Sequence, residues 1–216
     1  MNIFNIDGFF HRFGTSLFDL MVLNIIFILV AASGFGITFV PACIAMVYTI
    51  YESMRKQQGR LLYHFVKGFK ENVRQGILLS ICFIILSMSM TLVLRNISIF
   101  GGYSFLVLST QYFMIFEISI VSLFLFPMLA KIDLNIKQAI INSFLLAHKH
   151  LFTSISCLSL IVLIYYAIKY ISPIFIVLAF ATVAYVIERL ILENIIIKKY
   201  VSEDMRRELE IEDMNY

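Results

Sequence analysis

The sequence predicts an all-α integral membrane helical bundle, and three observations carry that reading. Of 216 residues, 61% are hydrophobic and only 14% charged, where soluble domains carry roughly 25% charged residues. Mean hydropathy is +0.91. The apolar residues also gather into charge-free runs, Leu20 to Tyr51, Gly76 to Leu94 and Asn96 to Phe116, and a helix needs about 20 predominantly apolar residues to cross a hydrocarbon core of about 30 Å. With 9 glycines and 3 prolines the chain is neither collagen-like nor of low complexity. A net charge of +3 is too small for a nucleic-acid partner. Cys43, Cys82 and Cys157 each lie in a different apolar run, at spacings that exclude a CxxC metal site or an exported disulfide framework, and read as buried small hydrophobes.

The elements follow in order. A first span is expected over about 17–33, a break at Gly34-Phe35-Gly36, and a second over about 38–54 with Pro41 in its tolerant first turn. Both are short, so the pair is either two full crossings or a re-entrant hairpin, and in both cases the chain returns to the side it left. Over about 60–75, Leu62, Phe65, Val66, Phe69 and Val73 recur at helical spacing against Lys67, Lys70, Glu71 and Arg74, which predicts an amphipathic helix lying at the membrane surface. The third span covers about 76–94 and the fourth about 103–130. A second amphipathic helix over about 135–150 carries Ile136, Ile140, Phe144 and Ala147 on one stripe. A fifth span over about 151–168 and a sixth over about 171–192, with Pro173 in its first turn, complete one transmembrane domain over 1–200. Residues 201–216 read as a short charged tail. The order helix, amphipathic helix, helix occurs twice, a hint of internal duplication.

Lys and Arg set the expected orientation. Of the 17 basic residues, all but Arg95 and Lys169 fall at the two termini and in the 52–75 and 131–150 connections. By the positive-inside rule that side is the cytoplasm, with both termini inside and small outer loops. The first residues hold Arg12 against Asp7 and Asp19, a poor start for a signal peptide, so the N-terminal segment is expected to be retained.

Candidate chemistry is sparse. Glu117 sits deep in the fourth span with no other charge between Ser104 and Ala130, and a carboxylate there must be protonated, paired or facing water. It reads either as a proton- or substrate-linked site, with Gln111 and Asn24 as companions, or as polar packing glue between helices. Glu188, Arg189 and Glu193 read as snorkelling groups at the end of the last span, with Arg189 and Glu193 one helical turn apart. His148 and His150, two residues apart, point to nearly opposite helix faces and make no metal site. Arg55, Lys56, Arg60, Lys67, Lys70 and Arg74 form a basic set suited to anionic lipid or an acidic partner surface. No phosphate-binding glycine loop, catalytic triad order or HExxH string occurs, so neither an enzyme nor a cofactor is expected.

Several short blocks resemble the YesL family of bacterial polytopic membrane proteins, whose molecular function is unassigned. They are Phe4 with Asp7-Gly8, Asp19, Leu23-Asn24, Thr38 with Pro41-Ala42, then Phe65, Phe69-Lys70, Asn72 and Gln75. After the fourth span come Phe126-Pro127, Leu129-Ala130-Lys131, Asp133 and Lys137-Gln138. Val40 and Phe35 depart from the family's usual Gly and Pro. The resemblance implies a protein of the bacterial cytoplasmic membrane associated with carbohydrate uptake of the ABC type. Permease subunits would be its partners, alongside membrane lipids, through Arg60, Phe65, Lys67, Phe69, Lys70, Asn72, Arg74, Gln75, Lys137 and Gln138. It implies no catalytic residues. The competing readings are a small autonomous permease built around Glu117 and, more remotely, an intramembrane enzyme using Glu117 as acid or base.

Overall fold

The computed structural model describes residues 6–55 and 60–201, so the tail expected over 201–216 falls, after Val201, outside the described residues. Helices fill the described chain, with no strand among those residues. They are α1 (Ile6–Ser33), α2 (Phe39–Thr49), α3 (Leu61–Arg95), α4 (Ser104–Lys131), α5 (Ile136–Lys149), α6 (Leu151–Tyr166) and α7 (Ile176–Ile187). Wider π-type winding extends α2 to Arg55, α6 to Ile171 and α7 to Tyr200, while a tight 3₁₀ segment, Ile97–Tyr103, joins α3 to α4. The end of the bundle that holds Glu52 and Lys131 is here the base, and the end at Ile97–Tyr103 the crown.

Among the described residues, four stretches are long and apolar enough to cross a membrane: Ser16–Ser33, Leu61–Arg95, Ile97–Lys131 and Leu151–Ile171. The chain is therefore a multi-pass helical membrane protein, with four such stretches where about six spans were expected. The apolar helix Phe39–Ser53 is too short, and the last helix meets Glu188, Arg189 and Glu193 soon after its twelve-residue α-helical part.

The short α2 is the centre of the molecule. Ala42, Ile44, Ala45, Thr49 and Ile50 are all fully buried, as expected of a helix that is apolar on every side. Its closest neighbour is α3, which presents Gly68, Asn72, Gly76 and Ser80 at four-residue spacing, one above another on a single face. A Cβ on Gly76 would stand 2.7 Å from Pro41 Cβ and 2.8 Å from its Cα, and one on Gly68 would stand 2.8 Å from the Tyr48 ring. The two backbones thus approach as only small residues allow. Asn72 folds its amide back onto the Gly68 carbonyl at 3.1 Å, which keeps the stripe thin.

That register settles the depth of the hairpin. The Val40 N–H donates to Ser80 Oγ at 3.2 Å, so α2 begins beside Ser80. From Ser80 to Arg95, α3 rises a further ~22 Å at 1.5 Å per residue. The reversal between α1 and α2 therefore lies within the length of α3, well short of the crown. Phe35 and Gly36 turn the chain with φ of 49° and 87°, and Thr38 Oγ1 donates to the Val30 carbonyl at 2.7 Å to close the turn. Phe35, at the tip, is 97% exposed.

Two amphipathic expectations change in the fold. The segment expected as a surface helix over 60–75 is the first part of a single continuous helix, the 35-residue α3. At ~52 Å that helix exceeds the hydrocarbon core, so its basic end projects beyond it. The stripe seen in the sequence faces protein: Phe65 is buried in the core and Phe69 packs against it, while Leu62 and Val66 stay open. In α5 the packed face is Ala139, Ser143, Leu146 and Ala147, turned by one residue from the expected stripe, with Ile140 and Phe144 exposed. Helices in lipid gain nothing from hiding large apolar groups against one another, so small residues take the contact.

At the crown the bundle opens. Ile84 to Ser89 on α3 and Tyr112 to Phe116 on α4 are exposed without interruption, so each helix shows partly open surface on every side there. Cys82 is exposed as well, whereas Cys157 is buried as expected.

Two outcomes test this arrangement. In a cysteine-free background, a cysteine replacing Gly36 should resist a membrane-impermeant maleimide from both faces while one replacing Gly102 is labelled from one face; equal labelling would place the hairpin tip in water. Gly76→Val should lower stability by about 2 kcal/mol through forced separation of α2 from α3, read from thermal unfolding in detergent by circular dichroism.

Candidate functional site

Polar groups gather in two places. At the base, α2 and α4 end on opposite charges. Glu52 is the first charge after the run Leu20–Tyr51, and Lys131 the first after Glu117. They meet in direct contact, each side chain only 6% exposed. Tyr48 and Tyr51 wall the ammonium, with ring centres 5.5 and 5.1 Å from Lys131 Nζ. Lys67, which also approaches Tyr48 at 6.0 Å, is 3.9 Å from Glu71 on its own helix. His64, buried beside Tyr63 and Tyr48, completes this layer. A buried ion pair of this kind fixes the relative position of two helix ends more surely than it adds net stability.

The last helix adds charge from its own side. Glu188 and Glu193 are 1% and 8% exposed, so these are interior groups rather than the snorkelling ones expected. Glu193 takes Arg189 at 3.7 Å and Lys198 at 3.1 Å.

The second place is Glu117. Its Oε2 lies 3.3 Å from His148 Nε2, on α5. The other ring nitrogen, Nδ1, is 2.9 Å from the Phe144 carbonyl and so carries a proton to donate there. Nε2 is thereby left as the ring nitrogen that faces the carboxylate. The Phe144 ring lies 4.3 Å from the His148 ring, tilted by 42°, and packs against it. This is a carboxylate–imidazole approach between two helices, α4 and α5.

The companions expected for Glu117 lie elsewhere. Asn24, fully buried, inserts its amide into the backbone ladder of α7: Nδ2 donates to the Ile176 carbonyl at 2.8 Å, and Oδ1 accepts from the Ala181 N–H at 3.1 Å. Both ends of that amide are used, and α1 is clipped to α7. Gln111 sits six residues before Glu117, about 120° around the helix, and its Oε1 is buried without a hydrogen-bond partner. His148 and His150 do diverge as the spacing predicted, the latter meeting Tyr200 Oη at 3.0 Å.

The expected partner surface separates into layers. Arg60, Lys70, Arg74, Lys137 and Gln138 are exposed. Lys67, Phe69, Asn72 and Gln75 are half-buried, and Phe65 belongs to the core. Glu52 escaped the sequence reading as a site residue, and Lys131 entered it only through the resemblance. Their signal was position: opposite charges closing two charge-free runs at the same end of the bundle.

Between α1, α2, α4, α6 and α7 lies a cavity of about 380 Å³. Phe27, Met46, Phe126, Ile161 and Phe180 are among its walls, and Ser122 and Tyr165 bring its few polar groups. It holds neither Glu117 nor Gln111.

Comparison with known proteins adds one match. The family described as a protein of unknown function, DUF624, matches residues 20–93, which cover the end of α1, all of α2 and most of α3. The chain is thus similar, over its central packing unit, to a family with no assigned function. No curated protein matches the chain, and no solved structure does.

Removing one partner of the basal ion pair leaves a buried charge. Lys131→Met should destabilise the protein by about 3 kcal/mol, and the double change Glu52→Gln with Lys131→Met should cost less than the two single changes summed, as read from thermal midpoints in detergent. Strict additivity would show that the two groups act separately.

Proposed function

We propose that the protein is a non-enzymatic accessory or assembly component of the bacterial cytoplasmic membrane that binds other membrane proteins. The carrying observation is the open stretch toward the crown, where successive residues of α3 and α4 are exposed on every side of the helix. Ser87 and Ser89 lie in the first of these stretches and Thr91, Ser109 and Thr110 beside them, and small hydroxyl residues suit close contact with another helix. The excess of Lys and Arg at the base supports a cytoplasmic base, with both termini on that side. There Arg60, Lys70, Arg74, Lys137 and Gln138 form a second exposed surface. The resemblance to the YesL family names the class of partner, the permease subunits of an ABC-type carbohydrate importer.

A photo-crosslinking residue at Leu86 or Phe113 should yield discrete protein adducts in cells, while one at Phe152, exposed on α6, should not. Lipid adducts alone at the crown positions would overturn the reading.

The pair formed by Glu117 and His148 favours a second reading, a small permease that moves a proton with its solute. Glu117→Gln would then abolish flux in reconstituted vesicles while leaving the fold intact. The nearly all-hydrocarbon cavity weighs against it, since a sugar needs hydrogen-bonding walls.

A further inference from the structure

A second cavity, of about 810 Å³, lies at the base between the end of α4, α5 and the extension of α7. Its walls are apolar where Met128, Leu145, Leu146 and Ile196 meet, and polar where Lys149, Asn142 and Tyr200 reach it. The polar rim is organised by Tyr200. Its ring lies 4.9 Å beneath Lys149 Nζ, and its hydroxyl is 3.0 Å from His150 Nε2.

The rim carries positive charge that pairs with no carboxylate among the described residues. Lys198 is engaged with Glu193 at 3.1 Å and Asn194 at 3.0 Å, whereas neither Lys149 nor Lys199 meets a carboxylate among the described residues. Burial first, and then the charges of Lys199 and Lys149, lower the proton affinity of His150. The Lys149 ammonium stands over the Tyr200 ring, whose hydroxyl meets His150, and Lys199 adjoins Tyr200 in the chain, with no carboxylate paired to either lysine among the described residues. A hydrocarbon trough opening beneath such a rim matches an amphiphile with a negatively charged head. Basic pockets at the ends of membrane helices take anionic lipid head groups in this way.

We propose that this trough binds one anionic phospholipid of the adjoining leaflet, with its phosphate at Lys149, Lys199 and the Tyr200 hydroxyl and its acyl chain against Met128, Leu146 and Ile196. The site is distinct from the basic face of α3. It also depends on none of the partner contacts proposed for the crown, so either assignment stands if the other fails.

The full chain, delipidated in a neutral detergent, is offered equal amounts of phosphatidylglycerol and phosphatidylcholine with identical acyl chains, and retained lipid is read by native mass spectrometry. Wild type should retain phosphatidylglycerol preferentially, and Lys149→Gln and Lys199→Gln should each reduce that preference about fivefold, the equivalent of about 1 kcal/mol per basic residue. Lys169→Gln, at the other end of α6, should leave it unchanged. Leu145→Trp, which fills the trough from an exposed position, should reduce retention of both lipids. Unfolding profiles by circular dichroism confirm that each variant is folded. Equal retention of the two lipids by wild type, or a preference that survives both lysine changes, would overturn the site; so would unaltered retention in Leu145→Trp.

Discussion

The near-contact of the α2 and α3 backbones is the constraint on which the rest of the bundle depends. Pro41 against Gly76 and Tyr48 against Gly68 leave no room for a side chain between the helices. In lipid, helices associate through such packing and through hydrogen bonds, because burying hydrocarbon against hydrocarbon brings little. Once α2 lies in the groove of α3, its remaining sides must be covered, and α1, α4 and α7 cover them. The clasp of Asn24 on α7 and the pairing of Glu52 with Lys131 then hold the outer helices in register around it. The dense part of the molecule is therefore basal, and the crown of α3 and α4 is what this core leaves over.

Much of this was legible in the residues. Charge-free runs located the apolar helices, and Gly34-Phe35-Gly36 marked the hairpin reversal that Phe35 and Gly36 make with positive φ. Hydrophobic periodicity failed in a specific way. It found the helices over 60–75 and 135–150 but misjudged the packed face of the second, because it assigned the large apolar residues to one stripe. In α5 it is Ala139, Ser143 and Ala147 that touch the neighbour, while Ile140 and Phe144 stay open. Membrane helices are read better from their small residues than from their large ones.

The polar sites illustrate the same limit. Glu117 stood out by isolation, yet its partner is His148, from a helix that sequence spacing had set apart as interfacial. Asn24 was grouped with Glu117 on the strength of being polar in an apolar run, and it serves instead as a fastening between helices. Neither pairing has a local signature, since each joins residues far apart in the chain. Glu52 and Lys131 were visible as charges but not as a pair for that reason.

The depth of the hairpin bears on how the protein is made. A ribosome releases α1 and α2 before the residues of α3 that accept them, and α2 is too short to stand across a bilayer unaided. Its resting place, the groove of Gly68, Gly76 and Ser80, exists only after α3 has been synthesised and inserted. The hairpin of α1 and α2 therefore waits on the helix that follows it. A chain arrested before Ser80 would expose Ala42, Ile44 and Ala45 with no helix to receive them, and would be a substrate for membrane quality control.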